Sequence, residues 1–191
     1  MKLVVGLGNP GKEHTANRHN VGFRWLERLA SAERVMLKAE ARFHALLGQL
    51  DREGEECWLM QPQTFVNASG RAVRALAEFY KIPATEILVV HDELDLPPGV
   101  ARLKQGGGVS GHNGLKDIAA HLGTQDFWRL RIGIGHPGEK ALVVDYVLDR
   151  PPAGEKKLIE QAIHQSLEIW PLIAENKHQA AMLKLHTKQI Q

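Results

Sequence analysis

The 191-residue chain contains a single cysteine, Cys57, which excludes an intrachain disulfide. Cys57 lies in the strand-like stretch CWLM at 57–60, where a thiol serves as a small core hydrophobe. No run of uncharged apolar residues approaches the ~18 that a membrane span requires. The opening MKLVVGLGNPGKEH meets Gly, Pro and charge after a few apolar residues, which is not the pattern of a signal peptide. These absences lead to the expectation of a soluble, cytoplasmic protein with no membrane partner. There is also no excess of one charge. With 24 Lys/Arg against 22 Asp/Glu, the net charge of +2 is too mild to identify a nucleic-acid partner by itself. What the chain does have is 43% hydrophobic and 24% charged residues, enough apolar material for a packed core. At ~150 residues per domain, its length suits one domain. It shows no internal repeat and no low-complexity run.

Charge is distributed unevenly. Residues 100–140 hold six basic side chains, Arg102, Lys104, Lys116, Arg129, Arg131 and Lys140, against three acids, in a glycine-rich block. Such a surface suits a phosphate-bearing ligand, although an ordinary solvated face has the same composition.

Apolar patterning alternates between strand and helix. Residues 2–7 and 86–91 are short apolar runs of the buried-strand type, and 42–50, 56–61 and 128–134 also suit strands. Residues 8–18 suit a long loop. A helix is expected after Asn20, another after Asn67 or Ser69, and a third over 112–122. Beyond Pro151–Pro152, Leu158, Ile159, Ala162, Ile163, Ile169 and Ile173 follow helical spacing, with Pro171 expected to stop or kink that helix. A last polar helix is expected from about 176 to 188. The alternation predicts an α/β fold with a largely parallel sheet.

Two short motifs fail on inspection. Gly6-x-Gly8-x-x-Gly11 follows a strand, as a dinucleotide-binding turn does, but Ala16 is the one apolar side chain between residues 11 and 20, so no helix there has a face to pack. The same stretch departs from a P-loop at Glu13, where Ser or Thr would hold Mg²⁺. No Gly-x-Ser-x-Gly elbow occurs. His91, Asp92, Glu93 and His112 carry metal-ligating groups without a ligand-set spacing, so neither metal nor cofactor is expected.

Polar clusters remain at the ends of apolar elements: Asn9-Pro10-Gly11, Arg18-His19-Asn20, Phe65-Val66-Asn67, Asp92-Glu93, and Gly106–Gly108 with Gly111-His112-Asn113-Gly114. Loops beyond the carboxyl ends of strands share one rim in an open α/β sheet. A rim with a histidine base, a carboxylate to fix its tautomer, and neutral amides to hold water or an oxyanion suits hydrolysis without a covalent step. Each residue taken singly also suits a turn or a helix cap. From residues alone the choice stays open between a hydrolase and a binding rim.

Several of these blocks together resemble bacterial-type peptidyl-tRNA hydrolases: GLGNPG at 6–11, RHNVGF at 18–23, QPQTFVNASG at 61–70, HDELDLPPG at 91–99, GGGVSGHNGLKDI at 106–118 and RLRIGIGHPG at 129–138. The match runs through nearly the whole chain. It implies a single α/β domain over 1–191, with a twisted, mixed, mostly parallel sheet flanked by helices and a C-terminal helix or flap at 176–191. It also implies a metal-free monomer that cleaves the ester between a peptide and the ribose of a tRNA, recycling tRNAs lost from ribosomes. By position in the motifs, His19 matches the general base, Asp92 its supporting carboxylate, and Asn9 the residue that tells a blocked amino group from a free one. Asn67 and Asn113 match positioning amides, Phe65 a contact to the tRNA end, and Lys104 and Arg131 the grip on tRNA phosphate. The chain departs from the family at His14, where Tyr is usual and a substrate contact is implied, at Asn17 (Thr), at Val66 (Met) and at Val109–Ser110 (His-Gly). None of these touches the base, the carboxylate or the Asn set. Two competing expectations are a non-catalytic RNA-binding module on the same fold and a nucleotide-dependent enzyme using Gly6–Gly11.

Overall fold

The apolar runs become the centre of a seven-stranded sheet in a computed structural model, which describes residues 1–188. Along the chain come β1 (Leu3–Gly6), α1 (Val21–Ala32), β2 (Lys38–Glu40), β3 (Ala45–Arg52), β4 (Glu55–Pro62), α2 (Ser69–Phe79), β5 (Ile87–Glu93), β6 (Ala101–Gln105), α3 (Asn113–Leu122), β7 (Trp128–Gly133), α4 (Val143–Leu148), α5 (Ala153–Leu167), α6 (Trp170–Ala174) and α7 (His178–Lys188). The strand order is β2-β3-β4-β1-β5-β7-β6. The central strands β4, β1, β5 and β7 run parallel, while the pairs β2/β3, β3/β4 and β6/β7 are antiparallel. The fold is therefore α/β with a mixed sheet flanked by helices, as expected. Among the described residues no helix is long and apolar enough to cross a membrane.

Period-two alternation divides the sheet between two cores. Val4, Leu88, Val90 and Leu130 face α1, α5, α6 and α7, where Trp25, Leu26, Ile159, Ile163 and Trp170 meet them. Leu3, Val5 and Val89 face α2 and α3, against Val73, Leu76 and Ile118. Cys57 is buried in the first core, and burial pushes its thiol pKa up to about 12, so it stays an inert thiol.

Several local expectations change. β2 has three exposed residues with no apolar pattern and exists because β3 pairs with it, while β6 is the outer partner of β7; neither stood out in the sequence. The loop after β1 contains two 3-10 turns, Lys12–His14 and Arg18–Asn20. Asn20 precedes α1 as expected, but its side chain caps nothing. Neither Asn67 nor Ser69 caps α2, since Asn67 lies in a 3-10 turn (Val66–Ala68) ahead of it. Pro171 stands in the first turn of α6, where its missing N–H is harmless, and α5 ends at Leu167. α7 packs on the sheet edge, with Ala181 and Leu185 buried and His186 Nε2 accepting the Leu103 N–H at 3.1 Å. The last three residues of the expected flap, 189–191, lie outside the described residues.

The glycines at 6, 8 and 22 have a steric purpose. A methyl group on Gly22 would lie 2.3 Å from the Val90 carbonyl oxygen, and one on Gly6 would lie 2.4 Å from the Gly22 carbonyl oxygen. A methyl group on Gly8 would strike the Phe23 ring at 2.6 Å. The Gly6-x-Gly8 spacing thus lets the start of α1 press onto the ends of β1 and β5, which explains the spacing without a bound nucleotide. Gly22→Ala should force α1 outward at a cost of about 1–3 kcal/mol, as overpacking does. A urea-unfolding midpoint equal to wild type would contradict this packing.

Candidate active site

The approach of α1 to β5 brings His19 onto Asp92. His19 is the middle residue of the 3-10 turn Arg18–Asn20 that leads into α1, and Asp92 is the sixth residue of β5. His19 Nδ1 lies 3.0 and 2.9 Å from the two oxygens of the Asp92 carboxylate. A second imidazole reaches the same carboxylate from the other side, His112 Nε2 at 2.9 Å from Asp92 Oδ1. His112 is the N-cap of α3, and its Nδ1 accepts the Leu115 N–H at 3.3 Å. An accepting Nδ1 carries no proton, so the His112 proton sits on Nε2 and points at Asp92.

The buried Asp92 carboxylate therefore receives N–H donors from both rings. Burial opposes its charge, yet the attraction of His19 and His112 and their hydrogen bonds hold its pKa well below the usual carboxylate range. Burial also works to lower the pKa of His19, but the charge and hydrogen bond of Asp92 outweigh it, and the net shift is upward from 6.5. With Nδ1 turned to Asp92, the ring edge left for a water in the cleft is Nε2. The donor atoms of His19, Asp92 and His112 lie within 4.8 Å of one another. A cation held among them would have to displace both N–H protons and oppose the Leu115 N–H, so the arrangement suits a hydrogen-bonded triad better than a metal centre. His91 supports the group from behind. Its ring packs edge-on against His112 at 5.1 Å, and its Nδ1 donates to the Asp92 carbonyl oxygen at 2.8 Å. Burial, with His112 beside it, drives its pKa down to about 3 and keeps it neutral.

The amides are fixed as firmly. Asn9 Oδ1 accepts the Val66 N–H at 2.8 Å, which leaves the Asn9 NH₂ group as the free end of the side chain. The Asn9 backbone is held in turn by Asn20, whose Oδ1 accepts the Asn9 N–H and whose Nδ2 donates to the Asn9 carbonyl, both at 2.9 Å. Asn9, His19, Phe65, Asn67, Asp92 and Asn113 share the lining of one cleft of about 530 Å³, with an apolar wall from α4. Phe65 is 62% exposed at its rim.

The remaining sequence-expected residues lie elsewhere. His14 sits in the preceding 3-10 turn, where its Nδ1 pairs with Asn17 Nδ2 at 3.0 Å, away from the cleft lining. Lys104 and Arg131 share the sheet face opposite Leu103 and Leu130, and neither lines the cleft. Arg131 Nε donates to Glu93 Oε1 at 2.7 Å, and Glu93 does line the cleft. Three residues were not assigned their part from sequence. His112 stood there at the start of the expected 112–122 helix and among residues with metal-ligating groups, with no part in supporting Asp92. Arg18 is buried, and its guanidinium reaches α4. Arg129 is buried and donates to the carbonyls of Gly107, Gly108 and Gln125, tying the glycine loop to β7.

Comparison with known proteins identifies the family. The family model described as peptidyl-tRNA hydrolase matches residues 3–191. A peptidyl-tRNA hydrolase of Nitrosospira multiformis is 62% identical over 189 residues, 99% of each chain. One of Methylobacillus flagellatus is 58% identical over 188 residues, covering 98% of this chain and 97% of that one. The crystal structure of peptidyl-tRNA hydrolase from Acinetobacter baumannii superposes with a TM-score of 0.94 at 44% identity, over 97% of this chain and 94% of that one. With its sequence and fold in agreement, the chain belongs to the peptidyl-tRNA hydrolase family.

Proposed function

We propose that this protein hydrolyses the ester between a peptide and the terminal ribose of tRNA, and that His19 is the general base. The observation that carries this is the His19 Nδ1–Asp92 contact at 2.9 Å, which leaves Nε2 to take a proton from water beside the Asn9 amide. Asp92 fixes the His19 tautomer and stabilises the imidazolium that forms. Asn9, with its NH₂ group free, donates to a peptide carbonyl and so distinguishes a blocked amino end from a charged one. Asn67 and Asn113 position substrate and the developing oxyanion. Phe65, exposed at the rim, stacks on the tRNA end, and His14 contributes an outer contact. Lys104 and Arg131 bind phosphate without reading sequence, as an enzyme serving many tRNAs requires. The enzyme acts as a cytoplasmic monomer without metal or cofactor, as one domain over 1–191 with residues 176–191 as a C-terminal helix or flap.

The direct test is peptide release from N-acetyl-aminoacyl-tRNA beside the unblocked form, with EDTA present. Cleavage of the blocked form alone is expected. Salt-sensitive tRNA binding without cleavage would favour an RNA-binding module instead. His19→Ala should lower kcat by about 10²–10⁴-fold, the range for loss of a general base, and a near-normal rate would remove the mechanism.

The pH dependence has a definite sign. Protonated His19 cannot accept a proton, so kcat should fall as pH drops through a pKa above 6.5. In Asp92→Asn the raising charge is gone and burial dominates, so this limb should move to lower pH while the plateau rate drops. A pH–rate profile with an unmoved limb would contradict the role of Asp92. Lys104→Ala and Arg131→Ala should each reduce the slope of log K for tRNA against log salt by about 1. An unchanged slope would place the phosphate contacts elsewhere.

A further inference from the structure

α4 (Val143–Leu148) forms the apolar wall of the cleft through Val143, Val144, Val147 and Leu148, with Phe65 and Val66 also in the lining. Six residues are far too few to hold a helix by themselves, and Val144 is 64% exposed. Tertiary contacts must therefore set where this wall stands. Tyr146 does not line the cleft, and it makes those contacts. The Arg18 guanidinium stacks 3.8 Å from the centre of the Tyr146 ring, and Arg18 Nη1 donates to the Tyr146 carbonyl oxygen at 2.9 Å. The Tyr146 hydroxyl donates to the Ile134 carbonyl oxygen at 2.6 Å. The Arg18 N–H donates to the Asp149 carbonyl just past the end of α4 at 3.1 Å, and Arg18 Nη2 reaches Glu155 Oε2 at 3.5 Å. Arg18 is buried and immediately precedes His19. One side chain thus ties the apolar wall to the turn that carries the base.

We infer that Arg18 and Tyr146 form a clamp that fixes α4 at the right distance from His19 to receive a bulky apolar peptide side chain next to the scissile ester. The inference rests on the peptidyl-tRNA hydrolase reading of the cleft. Arg18 and Tyr146 are positioning residues: neither touches substrate, and both act through the valines and the leucine of α4. A wall held in place discriminates between side chains by apolar contact, where one methylene is worth 10–200-fold in an enzyme pocket. A wall set loose loses that discrimination while leaving the His19–Asp92 pair alone.

The test compares N-acetyl-leucyl-tRNA with N-acetyl-glycyl-tRNA for wild type, Tyr146→Leu, Tyr146→Phe and Arg18→Lys. Wild type should prefer the leucyl substrate. In Tyr146→Leu and Arg18→Lys, KM for the leucyl substrate should rise about tenfold and KM for the glycyl substrate less than about twofold, the loss of one good apolar contact. In Tyr146→Leu the acid limb of kcat should stay where wild type has it. Tyr146→Phe keeps the ring beneath Arg18 and should restore most of the preference. Tyr146 is partly exposed, so its variants decide the matter if Arg18→Lys does not fold. In Tyr146→Leu, equal rises in KM for both substrates, a fall in kcat with a moved acid limb, or no change in KM would each overturn the clamp. A wild type that cleaves neither substrate would instead remove the hydrolase reading, and the clamp with it.

Discussion

A carboxylate buried between two imidazoles governs this structure. Asp92 is taken out of water at the end of β5, and an ionised carboxyl in such a place is tolerated when donors replace its lost hydration. Both of its side-chain partners among the described residues are imidazole N–H groups, His19 Nδ1 and His112 Nε2. Each ring must then be held with its proton on the correct nitrogen and its plane correctly turned. For His112 the α3 N-terminus does this, since the Leu115 N–H occupies Nδ1 and leaves the proton to Nε2. For His19 the constraint is positional. The turn before α1 must come close to β5, and it does so because Gly6 and Gly22 have no side chains to keep the two backbones apart.

The turn Arg18–Asn20 is held in two directions at once. Asn20 pairs with both backbone groups of Asn9, and Asn9 pairs through its side chain with Val66, so the loops after β1 and β4 are joined through two amides. Arg18 reaches the opposite way, to Tyr146 in α4. His19 sits between these buried anchors with its own side chain turned to Asp92. Preorganisation of this kind keeps a base and its oxyanion donors in place before substrate arrives, so little reorganisation is left for the reaction itself. It also explains why three consecutive polar residues, Arg18, His19 and Asn20, stand where the apolar pattern of α1 is about to begin.

Much of this was legible in the sequence, and the exceptions have physical causes. β1 and β5 show as continuous apolar runs because helices cover both faces of a parallel centre, and β7 shows by the alternation of Trp128, Leu130 and Ile132 with Arg129 and Arg131. β2 was invisible because its three residues are exposed and its existence depends on pairing with β3. The cleft residues His19, Asp92, Asn9, Asn67 and Asn113 could be grouped because each follows an apolar element and a rim gathers such ends. Their separate parts could not be divided, because that division depends on which atom faces which. Asn20 looked like a helix cap and is a brace for Asn9, and His112 looked like the first residue of a helix and is also the second donor to Asp92. Arg131 was matched to a phosphate-gripping position and is paired with Glu93, which a sequence separation of 38 residues conceals.

The protonation pattern around Asp92 can be read directly from the imidazole nitrogens by ¹⁵N–¹H NMR of the selectively labelled protein above the pKa of His19. His19 is expected to carry its proton on Nδ1 and His112 on Nε2, each N–H shifted downfield by a charged acceptor, and Asp92→Asn to remove both shifts. A proton on Nε2 of His19 or on Nδ1 of His112 would contradict this, because Asp92 would then lack one of its two donors and His19 would have no free lone pair for water.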